Sequence, residues 1–265
     1  MRLAVLVKQV PDTRSVRMDE ETGTVVRNSS DAILNPLDAY ALRAALLLRE
    51  ASPGATVTAL SMGPPAAEKA LREVLALGAD DAVLVCDRAC AGSDTWATAL
   101  ILSAALQKHG PFDVVITGER ATDGDTGQVG PEIAAQLDLS LATFVDQVGL
   151  AEGALEVERK VETGLERWQL RLPALISVTK AIGEVGLPTL AGKMAARRRA
   201  IPTTTAADLG LDPSTIGLKG SPTRVVKIFY PSLARKGRQY RVVDEASLAE
   251  SVDVMVKYVA EVAAV

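Results

Sequence analysis

A glycine-rich segment, residues 118–131, holds the residue types in this chain that are best suited to binding a phosphate. Its sequence, GERATDGDTGQVGP, follows an apolar run and leads into a helical pattern. A turn that enters a helix presents backbone N–H groups and the positive end of the helix dipole, which together favour an anion. Because glycine has no side chain, Gly124, Gly127 and Gly130 would let the backbone approach a ligand closely. The segment therefore predicts a nucleotide site.

The polar side chains of this segment would take different roles. Thr126 and Gln128 can add hydrogen bonds to a phosphate or a sugar. Asp123 and Asp125 would repel a phosphate, so we expect them to cap the turn or to hold a ribose hydroxyl or an exocyclic amine. Their spacing differs from that of a calcium-binding EF-hand loop, which makes a metal site the weaker interpretation.

Other candidate residues follow apolar runs or precede helical patterns elsewhere in the chain. Lys8 follows the first run, and Met62 and Gly63 follow a later one. Asn35 and Asp38 flank the start of a helical pattern. Each has an ordinary structural interpretation, such as a helix N-cap for Asn35 and a turn for Gly63. Ligands of an open α/β sheet bind beyond the carboxyl ends of its strands, so these residues would surround one crevice with the glycine-rich segment.

Short, continuous apolar runs alternate with helical patterns along the first half of the chain. Continuous rather than alternating apolar character is typical of parallel strands that are covered on both faces. The predicted strands are residues 3–7, 56–61, 82–86 and 113–117. Helical patterns begin near residues 36, 65, 95 and 128. This alternation predicts an α/β fold with a doubly wound, mostly parallel, Rossmann-like sheet.

The second half of the chain has a different texture. Residues 154–160 and 167–172 flank a turn-like Glu162-Thr163-Gly164 and predict a β-hairpin, and residues 174–179 form another apolar run. From about Pro202 the pattern predicts an extended arm that ends in a helix with one apolar stripe. We therefore divide the chain into residues 1–201, a nucleotide-binding domain, and residues 202–265. The pattern alone leaves open whether the last helix packs on its own domain or on another chain.

The composition excludes several classes of function. One histidine and two cysteines cannot build a zinc or iron–sulfur site, and the C-x-x-x-C spacing of Cys86 and Cys90 is not that of a redox motif. Neither a Walker A loop nor a G-x-G-x-x-G loop is present. The net charge of −4 does not favour nucleic acid. With no signal-like segment and no long apolar run, we expect a cytoplasmic protein without membrane insertion.

Four motifs, in order and with consistent spacing over nearly the whole chain, resemble the beta subunit of electron-transfer flavoproteins. They are Lys8-Gln9-Val10-Pro11-Asp12, Asn35-Pro36-Leu37-Asp38, the segment 121–131, and Leu187-Pro188-Thr189-Leu190. The resemblance implies an adenine-nucleotide-binding α/β domain paired with a flavin-carrying alpha subunit. In ordinary members the beta site holds AMP, and in electron-bifurcating members it holds a second FAD. Residues 121–131 resemble the bifurcating version, and Gly124 leaves room for the larger ligand, so we expect FAD.

The resemblance also implies which residues form the site. It assigns no catalytic residue and no metal ligand, and it makes Leu190 the anchor that docks on acyl-CoA dehydrogenases through a projecting loop. A core leucine is the alternative for Leu190. Arg159 and Lys160 lie in the hairpin stretch that approaches the partner's flavin in the family. The nucleotide site would comprise Lys8, Asn35, Asp38, Met62, Gly63, Asp123, Gly124, Asp125, Thr126, Gln128, Val129 and Gly130.

Two features depart from the family pattern. Glu119-Arg120 stands where the family usually has Arg-Gln or Lys-Gln, which reverses the local charge, and Gly127 stands where bifurcating members often have alanine. The first change puts the details of phosphate binding in question. In the family the C-terminal segment wraps the alpha subunit, which favours docking of the last helix on another chain.

The function implied is electron transfer between NADH or acyl-CoA dehydrogenases and other redox partners, with ferredoxin or flavodoxin as the low-potential acceptor. A bifurcating complex would act as an NADH-dependent oxidoreductase. An ordinary flavoprotein that holds structural AMP is the first alternative, and a non-redox nucleotide-binding sensor is the second. The third, an ATP-pyrophosphatase-like ligase, requires a Ser-Gly-Gly loop after the first strand, where this chain has residues 8–12 instead.

Overall fold

The computed structural model of this chain describes residues 1–12, 17–18, 25–26, 32–151, 153–226, 237 and 239–263. The chain divides into two compact units, Met1–Arg224 and Val225–Val265. The strands of the described residues are β1 (Arg2–Leu6), β2 (Gln9–Pro11), β3 (Arg17–Met18), β4 (Val25–Val26), β5 (Ala32–Leu34), β6 (Thr56–Met62), β7 (Asp81–Val85), β8 (Val114–Gly118), β9 (Ser140–Ala151), β10 (Ala154–Val161), β11 (Gly164–Leu170), β12 (Ala174–Val178) and β13 (Thr203–Thr204).

Within the same residues, the helices are α1 (Pro36–Ala51), α2 (Glu68–Leu77), α3 (Thr95–His109), α4 (Val129–Leu137), α5 (Leu190–Arg198), α6 (Gly217–Gly220) and α7 (Glu245–Ala263). Five of these helices occur close to where the sequence predicted them, whereas α5 and α6 were not predicted. Short 3-10 turns occur at Pro65–Ala67, Arg88–Cys90 and Lys180–Ile182. The first of these precedes α2, so the helical pattern that begins near residue 65 enters a regular α-helix only at Glu68.

A nine-stranded sheet forms the centre of the first unit, in the order β11-β10-β9-β12-β8-β1-β6-β7-β13. Across the sheet, the strands β9, β12, β8, β1, β6, β7 and β13 pair parallel with their neighbours in this order. At the other edge, β10 pairs antiparallel with both β9 and β11. The four strands predicted in the first half are confirmed to within one residue at each end. The α/β class and the mostly parallel sheet are therefore confirmed.

Both faces of the sheet are covered, which explains why the strands are continuously apolar. Along β1, Leu3 and Val5 belong to a core that includes α1 and α2, whereas Ala4 and Leu6 belong to a core that includes α3 and α4. Successive strand residues point to opposite faces, so each strand supplies both cores. The doubly wound arrangement follows from this pattern.

The order of the strands reverses at β1. The chain runs from β1 to β6 and β7 on one side, and then returns to place β8 on the other side of β1. Loops that leave the carboxyl ends of β1 and β8 therefore diverge, and the crevice between them is where doubly wound folds bind ligands.

The antiparallel part of the sheet confirms one prediction and adds an element. β10 and β11 form the predicted hairpin, with Val161 paired to Gly164 around the turn. The strand β9 was not predicted, although it is twelve residues long. Its pairing with β12 shifts register between Ile176 and Val178, and Phe144 there has a φ of 58°. Such a bulge interrupts the alternation by which a half-buried strand is recognised.

Residues 202–224 belong to the first unit. The N–H of Cys86 donates to the Thr204 carbonyl at 3.0 Å, and the N–H of Ala206 donates to the Asp87 carboxylate at 3.0 Å. Further along, the Asp94 carboxylate caps α3 and accepts both the N–H and the hydroxyl of Thr223. The docking of residues 202–265 on another chain stays a prediction.

The second unit contains α7, which was predicted at residues 245–262. Asp244 accepts the N–H of Ser247 at 2.8 Å, and the Ser247 hydroxyl accepts the N–H of Asp244 at 3.0 Å, which is a reciprocal cap. Large apolar side chains of α7 are exposed, namely Leu248, Val252, Met255, Val256 and Val259. Among the residues that the structure describes, no helix has the length and apolar character needed to cross a membrane.

Candidate functional site

The candidate residues meet at the carboxyl ends of β1 and β8. Lys8 follows β1, and the glycine-rich segment leaves β8 and enters α4 at Val129. The N–H of Asn35 donates to the Lys8 carbonyl at 2.8 Å, which brings the start of α1 to the same place. Three segments that are far apart in sequence thus form the walls of the predicted crevice.

Lys8 connects two of these walls. Its Nζ lies 2.8 Å from Asp123 Oδ1 in the glycine-rich segment, and both side chains are partly exposed. Its backbone N–H donates to Asp38 Oδ2 at 2.7 Å. The ammonium group therefore stands at the mouth of the crevice, where a phosphate could replace or join the carboxylate as its partner.

Asn35 occupies the N-cap position of α1, as predicted, but its side chain does not cap the helix. Nδ2 donates instead to Asp38 Oδ1 at 2.9 Å and to the Arg120 carbonyl at 3.0 Å, and Oδ1 accepts the Thr122 N–H at 3.2 Å. The side chain is drawn into the protein because unpaired polar groups of the crossing loop would otherwise be buried beside it.

Asp38 is a buried carboxyl group at the centre of these contacts. It is 7% exposed, and its burial raises its pKa to about 7. Hydrogen bonds from the Asn35 amide and from the Lys8 N–H, the nearby Lys8 ammonium, and the N–H of Gly118 oppose this shift. The carboxyl group is therefore balanced between its two protonation states close to neutral pH.

The glycine-rich segment is held by its own contacts. Asp125 and Gly127 have φ values of 55° and 65°, so the turn uses left-handed backbone at both positions. Arg120 pairs with Glu119 and places Nε 2.6 Å from Asp125 Oδ1. The reversed charge at Glu119-Arg120 is thus balanced inside the loop, and the Arg120 guanidinium is already paired with carboxylates.

The glycines of the segment differ in the space around them. A Cβ on Gly124 would meet no atom within 4 Å, whereas one on Gly130 would lie 3.1 Å from Thr117 Oγ1. Gly118, which was not among the predicted site residues, is tighter still: its Cβ would lie 2.6 Å from Asp38 Oδ1. Its place directly after the predicted strand 113–117 was the available signal. Gly124 thus lies in open space, whereas Gly118 packs closely against Asp38.

The remaining predicted residues lie around this centre. Thr126 and Gln128 are exposed, and Gln128 Oε1 lies 3.4 Å from the Thr95 hydroxyl at the start of α3. Met62 and Gly63 lie one strand further along the same edge, where the N–H of Gly63 donates to the Val85 carbonyl at 3.0 Å. They border the crevice without joining the hydrogen-bonded centre described above.

Leu190 lies elsewhere, as the first residue of α5. Thr189 caps this helix by accepting the Gly192 N–H at 3.0 Å. The projecting-loop prediction is therefore wrong for Leu190, although Leu187 and Pro188 precede the helix without regular structure. Leu190 is 77% exposed, so the alternative of a core leucine is also wrong.

The hairpin presents a second exposed surface. Arg159 places its guanidinium 4.8 Å from the centre of the Trp168 ring, and its Nε lies 3.5 Å from Glu166 Oε2. Both contacts join β10 to β11. The stacking holds the arginine over the ring, while Lys160 beside it is exposed.

Comparison with known proteins gives this arrangement its family. The electron transfer flavoprotein domain matches residues 22–209. The electron transfer flavoprotein subunit beta of Megasphaera elsdenii is 42% identical over 267 residues, 98% of this chain and 99% of the relative. The subunit beta of Thermoanaerobacterium thermosaccharolyticum is 45% identical over 238 residues, covering 89% and 91%.

A third relative comes from a larger assembly. The subunit CarD of the caffeyl-CoA reductase–Etf complex of Acetobacterium woodii is 42% identical over 231 residues, 87% of this chain and 88% of the relative. The fold and these similarities define an α/β electron-transfer subunit. The chain belongs to the electron transfer flavoprotein family, as a beta subunit.

Proposed function

We propose that this beta subunit, paired with an alpha subunit, transfers electrons by flavin-based bifurcation and holds FAD in the crevice between β1 and β8. NADH would be the donor, ferredoxin or flavodoxin the low-potential acceptor, and an acyl-CoA dehydrogenase or a related flavoenzyme the other partner. The observation that carries the proposal is the open space at Gly124, in a crevice that lies at the reversal of strand order.

The residues present fit an adenine dinucleotide. The helix α4 is nine residues long, and its N-terminus would offer backbone N–H groups and a positive dipole end to a phosphate. Lys8 Nζ adds a full positive charge at the crevice mouth. The exposed Asp123, Thr126 and Gln128 offer hydrogen-bonding groups for the ribose and the base. Bound FAD would supply the redox chemistry, and this chain would bind and orient it and set its electrostatic surroundings.

The left-handed turn at Asp125 and Gly127 has a part in the proposed binding. The two left-handed residues turn the segment before the chain enters α4, and Gly124 beside them lies in open space. A ligand longer than AMP could extend through this space without meeting a side chain. We therefore favour FAD over AMP in this site.

The proposed docking on a dehydrogenase is supported by the exposure of Leu187 and Leu190 at the start of α5. Lys193, Arg197 and Arg198 lie on the same short helix and could steer an acidic partner toward it. The name of the Acetobacterium woodii relative describes a complex with a reductase of a CoA thioester. That relative supports an enzyme acting on CoA thioesters as the class of partner.

Nucleotide content tests the proposal directly. We would co-express the chain with its alpha subunit, denature the purified heterodimer and quantify the FAD and AMP released. The proposal expects two FAD per heterodimer and no AMP, whereas one FAD with one AMP would make this an ordinary electron transfer flavoprotein. A heterodimer with a single FAD and no binding of added AMP or FAD would exclude a nucleotide site in the beta subunit.

A matched pair of variants tests the argument from space. Gly124→Val should weaken FAD binding more than AMP binding, because the added side chain enters the region that only the longer ligand would occupy. Gly149→Val on β9 is the control, since a Cβ there also meets no atom within 4 Å. An equal loss of affinity for AMP and FAD in Gly124→Val would contradict the assignment of FAD.

A further inference from the structure

We propose that Asn35 and Asp38 are positioning residues, which hold Lys8 and the segment after β8 in the arrangement that nucleotide binding requires, without contacting the nucleotide. The inference rests on the proposed function, because it assumes that the crevice binds an adenine nucleotide. It departs from the family resemblance, which counts both residues among those that bind the nucleotide.

The Asn35 side chain has little capacity left for a ligand. It is fully buried, and each of its polar atoms has a protein partner. Nδ2 donates to Asp38 and to the Arg120 carbonyl, while Oδ1 accepts the Thr122 N–H. These last two partners lie 85 and 87 residues away in sequence. Asn35 therefore fixes the backbone on both sides of Ala121 to the start of α1.

Asp38 in turn fixes the backbone after β1 and at the end of β8 to the start of α1. One oxygen accepts the Lys8 N–H at 2.7 Å, and the other accepts the Asn35 amide at 2.9 Å. The N–H of Gly118, the last residue of β8, also favours the ionised form of this carboxyl group and lowers its pKa. A Cβ on Gly118 would lie 2.6 Å from Asp38 Oδ1, so the strand can approach this closely only because the residue is glycine.

The consequence appears at the crevice mouth. Lys8 Nζ lies 2.8 Å from Asp123 Oδ1. Asp38 holds the backbone N–H of Lys8, and Asn35 holds the N–H of Thr122, the residue before Asp123. Loss of the Asn35 amide would release Arg120 and Thr122. Loss of the Asp38 carboxylate would release Lys8. Either change would separate the ammonium group from the segment that is to face the phosphates with it.

The charge of Asp38 makes the arrangement dependent on pH. An ionised carboxylate accepts all of these N–H groups, whereas a protonated one presents an O–H toward one of them. The charged group that acts on Asp38 is the Lys8 ammonium, which also faces Asp123, while Asn35 before α1 and Gly118 of β8 contribute neutral N–H groups. The hydrogen bonds to Asp38 lower its pKa, whereas burial raises that pKa to about 7. Loss of those bonds within the buried site would raise the pKa further, so protonation favours their loss, and the arrangement should weaken as the pH falls through about 7.

The experiment measures AMP and FAD affinity of the heterodimer, stripped of nucleotide in the beta site, between pH 6 and pH 8.5. Asp38→Asn keeps the shape but replaces an acceptor oxygen with an NH₂ group, and we expect at least about tenfold weaker binding at pH 8. We expect wild type to lose affinity as the pH falls, and we expect this loss to be absent in Asp38→Asn. Because the phosphate of AMP titrates near pH 6, the two proteins are compared with the same ligand.

Asp80→Asn is the matched control. Asp80 also accepts a strand N–H, that of Val57 at 2.8 Å, and also faces a cation, Arg49, but it lies at the opposite end of the strands. We expect this variant to bind nucleotide with the affinity and pH profile of wild type. Equal weakening in both variants would overturn the proposal, since it would show a general loss of stability.

A second variant covers the case in which Asp38→Asn does not fold. Asn35→Ser removes the reach to Arg120 and Thr122, and it should raise the hydrogen-exchange rate of the Thr122 amide and weaken AMP binding about tenfold. Wild-type affinity and pH profile in either folded variant would overturn the positioning role. Failure of wild type itself to bind AMP or FAD would instead overturn the proposed function, and exchange at Thr122 would still report on the positioning contacts.

Discussion

The helices α1 and α7 carry similar sequence patterns and have opposite surroundings. Both begin beside an acidic residue and both show a stripe of apolar side chains. Leu42 and Leu48 of α1 are at most 1% exposed, whereas Leu248 and Val256 of α7 are 47% and 61% exposed. An apolar stripe thus predicts a helix and a face that needs covering, but it does not say what covers that face.

The acidic residues at the two helix starts differ in the same way. Burial raises the pKa of Asp38, while hydrogen bonds from the hydroxyl and N–H of Ser247 lower the pKa of the exposed Asp244. The same side chain serves as an interior acceptor in one place and as a surface cap in the other. The difference arises from the strands β1 and β8, which enclose Asp38.

Deletion of residues 245–265 should have the largest effect on this comparison. Because the apolar stripe of α7 would be buried against the alpha subunit, we expect heterodimer affinity to fall at least about a hundredfold. Titration calorimetry with the isolated alpha subunit measures the loss, and thermal unfolding of the free chain is the control. An undiminished affinity would show that α7 does not dock on the alpha subunit.

Matched leucine substitutions sharpen the contrast between the helices. Leu42→Ala should lower the free energy of unfolding of the free chain by about 3 kcal/mol, because it leaves a cavity in the core. Leu248→Ala should change it by less than about 0.5 kcal/mol, because the side chain is about half exposed. Urea titrations compare the two. A loss of similar size in Leu248→Ala would show that α7 is packed within this chain.

Gly118→Ala extends the comparison to the backbone around α1. The added Cβ would lie 2.7 Å from the Leu37 carbonyl carbon as well as close to Asp38, so we expect a loss of about 1–3 kcal/mol in stability. Gly124→Ala, in the same segment but in open space, should remain within about 0.5 kcal/mol. If thermal unfolding shows a loss of stability in Gly118→Ala as small as that in Gly124→Ala, the backbone around Gly118 can widen freely.

Leu190→Ala should have the smallest effect, and only on electron transfer. Its side chain is exposed at the start of α5, so stability and bound flavin should be unchanged, while the rate of reduction by a dehydrogenase falls about tenfold. Leu218→Ala, on α6 and also exposed, is the control. A rate equal to wild type in stopped-flow measurements would remove Leu190 from the docking surface.

Local sequence predicted most of the regular elements. The strands β1, β6, β7 and β8 were found to within a residue because short apolar runs of this length, set between helical patterns, are typical of buried parallel strands. The strand β9 was not predicted because a bulge at Phe144 and half-buried positions disrupt the alternation of apolar and polar residues. The convergence of Lys8 with Asp123 was anticipated from the rule that ligands bind at the carboxyl ends of strands.

The chain's sequence by itself therefore determined the element types, the alternation that makes a doubly wound sheet, and the glycine-rich turn that enters α4. Only the tertiary structure decided that the Asn35 side chain bonds to Arg120 and Thr122 instead of capping α1, and that Leu190 is exposed. Helix and strand propensities act between near neighbours, whereas the partners of a buried polar group or an apolar face are chosen by segments that meet only after folding.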